Sequence, residues 1–295
     1  MTAATTAPKT PRISFEFFPP QSLEASFRLW DTVRALAPLA PSFSSVTYGA
    51  GGTTRDLTHE AVATIHKNYG LNVAAHLTCV DATREETLKI ANSYADVGVK
   101  EIVALRGDAP KGADKFTPHP EGFADACELI EALSDTGKFK IRVGAYPEPH
   151  PDAPNAQADV DWLKRKIDAG ADSAITQFFF EADTFFRFRD RCEKAGIDAP
   201  IIPGILPIQS WAGTQRFAAR CGTSVPSWVA DAFEKAERDD RTELLATSLC
   251  TELCSELIDG GVEDLHFYTL NRPERTRDVC HALGITPEAS LENVA

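Results

Sequence analysis

The regular alternation of strand-like and helix-like segments constrains the fold of this chain more than any other feature. Short apolar segments, ended by glycine, proline or polar residues, alternate eight times with segments whose apolar residues recur at helical spacing. This pattern predicts a parallel sheet with right-handed crossovers. Eight such units in 295 residues predict a single-domain α/β fold, the (β/α)8 TIM barrel. A doubly wound open sheet is the second choice, weakened because no Gly-x-Gly-x-x-Gly follows an early strand.

Turn residues and helix caps set the boundaries of the predicted elements. Strands are predicted over residues 13–20, 43–48, 72–78, 101–106, 140–146, 173–178, 200–206 and 264–270. Helices are predicted over residues 23–36, 54–69, 83–97, 122–133, 156–169, 184–194 and 272–283, with an all-helical stretch between 206 and 264. Thr83 and Glu86 fit a capping box, and Gly196 fits a C′ glycine. The barrel domain is predicted over residues 12–285, between a disordered tail (1–11) and a C-terminal tail (286–295).

The composition is that of an ordinary globular protein and counts against several partners. A net charge of −13 argues against binding nucleic acid or an anionic membrane. No apolar run approaches the ~20 residues of a membrane span, and the first residues contain no apolar core of a signal peptide. The seven cysteines are scattered without a Cys-x-x-Cys, which favours free thiols and a cytoplasmic location.

Glu16 lies inside the first predicted strand, within the sequence Ile-Ser-Phe-Glu-Phe-Phe. A carboxylate in so apolar a strand costs several kcal/mol unless it is paired, neutral or functional. Strand alternation places Ser14 and Glu16 on one face, and Phe15 and Phe17 on the other. One interpretation is a pocket built over Glu16; the other is a strand-end Glu that reaches solvent or an Arg.

Polar and aromatic residues recur at the carboxyl ends of the predicted strands, where TIM barrels carry their active sites. They are Glu16, Thr47, Tyr48, His76, Thr78, Arg106, Asp108, Tyr146, Glu148, His150, Gln177, Tyr268, Asn271 and Arg272. So many such groups at one end favour an enzyme over a binding module. No Lys stands at a strand end, which disfavours a Schiff-base aldolase, and the scattered histidines predict no metal site. The set suits binding of a flat polar ring and delivery of a proton, with any redox chemistry left to a cofactor.

Eight ordered motifs resemble one family, methylenetetrahydrofolate reductase in its short bacterial form. They are Ser-Phe-Glu-Phe-Phe-Pro-Pro (14–20), Val-Thr-Tyr-Gly-Ala (46–50), His-Leu-Thr-Cys (76–79), Ala-Leu-Arg-Gly-Asp (104–108), Ala-Tyr-Pro-Glu (145–148), Ile-Thr-Gln-Phe-Phe-Phe (175–180), Pro-Gly-Ile-Leu-Pro (203–207) and His-Phe-Tyr-Thr-Leu-Asn-Arg (266–272). The similarity covers residues 12–285. The resemblance is to the form without the C-terminal regulatory domain of eukaryotic members, so no control by S-adenosylmethionine is expected.

The resemblance implies an FAD-dependent oxidoreductase of one-carbon metabolism and methionine synthesis. In that family, FAD accepts a hydride at N5 from NADH or NADPH. Methylenetetrahydrofolate then takes the hydride at the same flavin face and becomes methyltetrahydrofolate, which gives ping-pong kinetics. The expected partners are therefore the folate and the nicotinamide cofactor, and relatives are usually homo-oligomers.

The resemblance also implies roles for individual residues. Glu16 matches the general acid that protonates N10 of the folate, and burial is expected to raise its pKa above the ~4.3 of a free Glu. Asp108 matches an acid beside flavin and pterin, and Gln177 an amide serving both folate and nicotinamide. FAD contacts match Thr47, Tyr48, Ala50, His76, Arg106, Gly107, Asp108, Tyr146, His150, Ala153, Asp159, Arg165 and Lys166. Phe217 matches a residue that packs on the nicotinamide cofactor, while Tyr268 and Arg272 match folate contacts.

Two positions depart from the family pattern, and two other functions stay open. Trp162 stands where relatives can have Asn near FAD, and Gly213 stands where a folate-contacting Gln is expected. The alternatives are a flavin-free TIM-barrel lyase acting on a small carboxylate and a non-catalytic flavin- or folate-binding protein. Bound flavin separates the lyase from the other two functions, and turnover with NADH separates the reductase from a binding protein.

Overall fold

The structure, a computed structural model, describes residues 10–48, 54–108 and 116–287. Within these residues the strands form one parallel sheet in the order β7-β6-β5-β4-β3-β2-β1-β9-β8. The strands are β1 (Arg12–Phe17), β2 (Phe43–Val46), β3 (Val73–Thr78), β4 (Glu101–Leu105), β5 (Lys140–Ala145), β6 (Ser173–Thr176), β7 (Ile201–Ile202), β8 (Gly204–Ile205) and β9 (Asp264–Tyr268). The helices are α1 (Leu23–Leu36), α2 (Arg55–Tyr69), α3 (Arg84–Asp96), α4 (Ala126–Asp135), α5 (Ala156–Asp168), α6 (Ala182–Lys194), α7 (Trp211–Cys221), α8 (Ser227–Arg238), α9 (Thr242–Asp259) and α10 (Pro273–Ala282).

The predicted seventh strand is split in two at Pro203, and its halves close the barrel. Ile201 and Ile202 pair with β6, whereas Gly204 and Ile205 pair with β9. Proline has no backbone N–H and cannot donate to a ladder, but the carbonyl of Pro203 still accepts from the His266 N–H at 3.0 Å. The sheet therefore runs from β6 through this broken strand to β9. The predicted TIM barrel is confirmed, and the open doubly wound sheet is wrong.

Local sequence signals explain most helix boundaries. Helix α1 begins after Ser22, whose side chain accepts from the Ala25 N–H at 3.1 Å. The capping box of Thr83 and Glu86 is confirmed at the start of α3. Gly196 follows α6 with a φ of 72°, a left-handed conformation that glycine adopts without steric cost.

Several predicted boundaries differ from the structure. Helix α4 begins at Ala126 instead of residue 122, because the Asp125 side chain caps it by accepting from the backbone N–H groups of residues 127 and 128. Helix α6 begins at Ala182, two residues before its predicted start. Most strands end earlier than predicted, because residues such as Tyr48, Arg106 and Tyr146 leave the ladder and stand in loops at the carboxyl rim. The predicted tails, residues 1–11 and 286–295, lie mostly outside the described residues.

The two faces of β1 separate the core from the barrel interior, as the alternation predicts. Phe15 and Phe17 are fully buried and pack outward in one cluster with Leu29 and Val33 of α1. Glu16 points the other way, toward β2, β3 and β9. Burying large apolar side chains between sheet and helices drives folding, and it leaves the inner face free for polar groups. Among the described residues no helix has the length and apolarity needed to cross a bilayer.

Candidate active site

Glu16 lies at the centre of a buried polar cluster. Its side chain is 13% exposed. Its Oε2 atom lies 3.3 Å from Nε2 of His76 on β3 and 3.9 Å from Nε2 of His266 on β9. Ser45, its register partner on β2, donates a hydrogen bond to the same oxygen at 3.4 Å. Glu16 therefore has histidines and a serine as partners inside the barrel, instead of reaching solvent or an Arg.

The expectation of a raised Glu16 pKa is wrong for the ligand-free protein. Burial, the largest single influence, does raise the pKa of Glu16, but the neighbouring imidazoles of His266 and His76 together outweigh it. The net result is a Glu16 pKa of about 2. Phe15 and Phe17 pack in the core on the other face of β1, and the histidines were not recognised as partners of the acid.

Ser14 and Phe43 fix the orientation of His266. The His266 ring is fully buried and stacks on Phe43, with ring centroids 5.4 Å apart. Its Nδ1 lies 2.8 Å from Oγ of Ser14, its register partner on β1. The Ser14 hydroxyl donates its one proton to the Leu265 carbonyl at 3.2 Å, so Oγ accepts from Nδ1–H of His266. Nε2 of a neutral ring, on the side of Glu16, then carries no proton. Burial lowers the pKa of His266, which favours that neutral ring.

A cavity of about 510 Å³ opens at the carboxyl ends of β3, β4 and β5. Volumes of this order are typical of cofactor and substrate sites. Ten residues of the expected FAD site line it: Tyr48, Arg106, Gly107, Asp108, Tyr146, His150, Ala153, Asp159, Arg165 and Lys166. Thr47, His76 and Phe217 do not line it, and Ala50 lies outside the described residues. The structure thus brings most of the expected set together around one space.

Three cations stand at the wall of this cavity. Lys166 donates from Nζ to the carbonyl of Gly144 at 2.8 Å, and burial lowers the pKa of Lys166 to about 8. Arg106 pairs with Asp152 at 3.0 Å. Arg165 lies over the ring of Trp162, with its guanidinium carbon 4.0 Å from the centroid. Such a group of cations suits a ligand with phosphate charges.

The loop after β5 is held against the cavity by Asp159. Its Oδ2 accepts from the His150 N–H at 2.9 Å, and the His150 ring meets Tyr146 edge-on at 4.7 Å. Burial raises the pKa of Asp159, although the His150 hydrogen bond opposes that shift. Burial also raises the pKa of Tyr146 to about 12, so its phenol stays neutral at physiological pH.

The other residues expected to contact folate and nicotinamide lie after β6, at and after the end of β9, and on α7. Gln177 accepts at Oε1 from the N–H of Phe178 at 3.1 Å, and Phe217 stacks on Phe178 at 5.2 Å. Tyr268 donates to the carbonyl of Thr176 at 2.6 Å, so its hydroxyl is engaged with the barrel. Arg272 accepts at its carbonyl from Gln209 Nε2 at 3.4 Å.

Comparison with known proteins places this site in a family. The family model described as methylenetetrahydrofolate reductase matches residues 2–284. A 5,10-methylenetetrahydrofolate reductase of Salmonella typhimurium is 47% identical over 276 residues, covering 93% of this chain and 91% of that protein. The chain belongs to the methylenetetrahydrofolate reductase family. It is therefore an oxidoreductase, and it matches the short bacterial form almost end to end.

Two further comparisons extend this result. The Arabidopsis thaliana protein named methylenetetrahydrofolate reductase (NADH) 1 is 35% identical over 290 residues, which are 94% of this chain and 49% of that protein. The chain thus spans about half the length of that relative. A solved structure of an uncharacterised Clostridium thermocellum protein, which binds two copies of 5-methyl-5,6,7,8-tetrahydrofolic acid, superimposes with a TM-score of 0.59 at 14% identity. It covers 94% of this chain and 96% of the Clostridium protein, and it supports the fold alone.

Sequence reasoning missed several residues of this reductase-family site. Ser45 and His266 contact Glu16, and Ser14 contacts His266, without having been assigned a role. Thr78, named only as a strand-end residue, and Trp162, placed near FAD by the resemblance, line the cavity. Strand alternation offered a signal for Ser14, which shares a face with Glu16. No local signal marks Ser45 or His266, because only the register of neighbouring strands brings them to Glu16.

Proposed function

We propose that this chain reduces 5,10-methylenetetrahydrofolate to 5-methyltetrahydrofolate, with FAD as bound cofactor and NADH or NADPH as reductant. The observation that carries the proposal is a short link along β3 between the cavity and the partner of a buried acid. On the inner face of β3, Thr78 lines the cavity, and His76, two residues earlier, lies 3.3 Å from Glu16. A ring system bound in the cavity would therefore lie close to a group that can handle a proton. Family membership supplies the reaction.

The residues around the cavity fit FAD. Oγ1 of Thr78 is buried with no hydrogen-bond partner among the described residues, so a polar ligand atom would satisfy it. Gly107 has a φ of 87°, and a Cβ there would collide with Val80, so its backbone stays uncovered at the wall. Arg106 and Lys166 would hold the diphosphate, and Arg165 adds positive charge to the same wall. FAD, when bound, supplies the hydride-carrying chemistry that no side chain provides.

The protein's own part in the reaction is to deliver a proton to N10 of the folate. With a pKa of about 2, Glu16 is a carboxylate at neutral pH in the ligand-free protein. To act as an acid it needs a substrate complex that raises its pKa, because efficient donors have pKa values near the working pH. Folate binding would favour this by excluding water and by competing with His76 for the carboxylate. Asp108 would anchor the pterin, Gln177 would serve both substrates in turn, and Tyr268 and Arg272 would contact the folate.

An anaerobic absorption experiment tests this function. Purified protein should show flavin bands that bleach on addition of NADH and return on addition of methylenetetrahydrofolate. Bleaching without return would leave an oxidoreductase with another acceptor. A flavin-free protein that takes up no added FAD would favour the barrel lyase, and flavin that NADH cannot reduce would favour the binding protein. Parallel lines in double-reciprocal plots would support ping-pong kinetics.

Two further parts of the proposal concern the protein in the cell. A homo-oligomer is expected, and light scattering of the purified chain measures its mass. A cytoplasmic location is expected from cysteine usage: all seven cysteines are free thiols. Fractionation of cells that express the chain tests the location.

A further inference from the structure

Trp162 exposes a large aromatic surface at the cavity and has no role in the function proposed above. It lies on α5 and is 39% exposed, whereas Val160 and Leu163 on the same helix are buried in the core. Trp162 lines the cavity together with Ala158 and Lys166. These three residues are four apart, so they form one stripe along the helix. Helix α5 therefore presents the indole to the same space as the buried lysine.

Arg165 holds the indole in place. Its guanidinium carbon lies 4.0 Å from the Trp162 ring centroid, a cation–π distance. Arg165 also reaches Asp125, the N-cap residue of α4, with Nη2 3.9 Å from Oδ2. The guanidinium on the indole thus has a carboxylate partner on a second helix, and the indole has a cation next to it. An aromatic surface beside cations is the combination that binds a base next to a phosphate.

We propose that Trp162 is the stacking residue for the adenine of FAD, with Arg165 holding the indole from its other side. This inference rests on the proposed function, because it assigns one end of the cavity to the adenine nucleotide half of that cofactor. NADH also carries an adenine diphosphate, so the test must separate the two sources. Base–aromatic stacking predicts that Trp162→Ala weakens FAD binding by about 10-fold to 100-fold.

The experiment compares ligands with and without adenine on the full-length apoprotein. FAD and FMN are titrated into wild type, Trp162→Ala and Trp162→Phe. Trp162→Ala should weaken FAD alone and leave FMN unchanged, and Trp162→Phe should retain most FAD affinity. With saturating FAD, the KM for NADH should not change in either variant. If Trp162→Ala raised the KM for NADH and kept the FAD affinity of wild type, the indole would be assigned to NADH and the proposal would be overturned.

A fluorescence arm uses ADP, which carries the adenine and diphosphate but no flavin. ADP should change the indole emission of wild type. Trp162→Phe should abolish that change, while the control Trp228→Phe should keep it. Trp228 is a suitable control because it is 48% exposed but lies on α8, where its Nε1 donates to Glu181 at 3.1 Å.

Three outcomes separate the stacking role of Trp162 from the proposed reductase function. Equal loss of FAD and FMN in Trp162→Ala would mean that the indole only supports the cavity wall, which overturns the stacking role. Unchanged FAD affinity would overturn it too, while leaving the reductase function intact. A wild-type protein that binds neither flavin would overturn the proposed function, and this inference with it.

Discussion

Nε2 of His76 lies 3.3 Å from Oε2 of Glu16, and the two side chains are only 9% and 13% exposed. Two strands, β1 and β3, that are not neighbours in the sheet meet in this contact across the barrel interior. The pair links the buried acid to the strand whose next inward residue, Thr78, lines the cavity. It therefore connects the proposed proton donor to the proposed cofactor site.

Replacing Glu16 with Gln should separate the two halves of the reaction. Glu16→Gln keeps the size and hydrogen-bonding capacity of the side chain but cannot deliver a proton. FAD content and flavin reduction by NADH should be close to wild type. Flavin reoxidation by methylenetetrahydrofolate should slow by about 10²–10⁴-fold, the usual contribution of general-acid catalysis. Anaerobic stopped-flow absorbance measures both steps, and normal reoxidation in the variant would show that another group is the acid.

Replacing His76 with Phe should raise the pKa of Glu16. The pKa is about 2 because His266 and His76 outweigh burial, and removing one cationic or hydrogen-bonding partner typically changes a carboxyl pKa by about 1–3 units. Carbon-13 NMR of the labelled Glu16 carboxyl in the ligand-free protein measures the change. A pKa that stays near 2 in His76→Phe would mean that His266 alone holds the carboxylate.

The same pair gives a signed prediction for stability. Glu16 has a folded-state pKa below its unfolded value of about 4.3, so its stabilising effect is complete above that value and is lost as the pH falls toward 2. His76→Phe should flatten this part of the curve of unfolding free energy against pH. Urea titrations between pH 5 and the lowest pH at which the protein stays folded test this, and an unchanged slope would contradict it.

The fold could be predicted from local sequence far better than the pKa of Glu16. The spacing of apolar residues and helix caps such as Thr83–Glu86 depend only on nearby residues. These local patterns were enough to predict the barrel and the burial of Glu16 within its first strand. The Glu16 pKa depends on His266, which lies 250 positions away and reaches it only because β1 pairs with β9 in a specific register. Pro203 marked a break that could have been predicted, since a proline cannot donate within a central strand. Trp162 and Arg165 are three residues apart on a predicted helix, so their contact could also have been predicted.

Lys166 should make FAD affinity depend on pH. Burial lowers the pKa of Lys166 to about 8, so the ammonium is charged below that pH and increasingly neutral above it. If its charge holds a phosphate, FAD affinity should fall as the pH rises above about 8. Lys166→Met should bind FAD about tenfold or more weakly at pH 7, the usual loss for a charged hydrogen bond. Lys166→Arg should remove the pH dependence of FAD affinity, because Arg stays charged. Isothermal titration calorimetry measures the FAD affinity of all three proteins. A wild-type affinity that does not change with pH would contradict a phosphate contact by Lys166.

Gly204 should be needed for barrel closure. It lies on β8, where its N–H donates to Oγ1 of Thr176 at 2.9 Å, and an added Cβ would collide with the Thr176 carbonyl and the Tyr268 ring. Both collision partners are themselves joined by the 2.6 Å hydrogen bond from Tyr268, so they have little freedom to move away. Gly204→Ala should therefore lower the free energy of unfolding by about 1–3 kcal/mol, as overpacked cores do.

Gly213→Ala is the matched control for that substitution. Gly213 lies within α7, and its nearest neighbour for an added Cβ is Ser210 at 3.5 Å, an ordinary contact. Alanine in a helix should raise the free energy of unfolding by about 0.5–1 kcal/mol. Urea denaturation of the two variants beside wild type gives both values. A Gly204→Ala protein as stable as Gly213→Ala would show that the barrel can open at β8 to admit a methyl group, and the tight closure at Pro203 and Gly204 would then not be required for the fold.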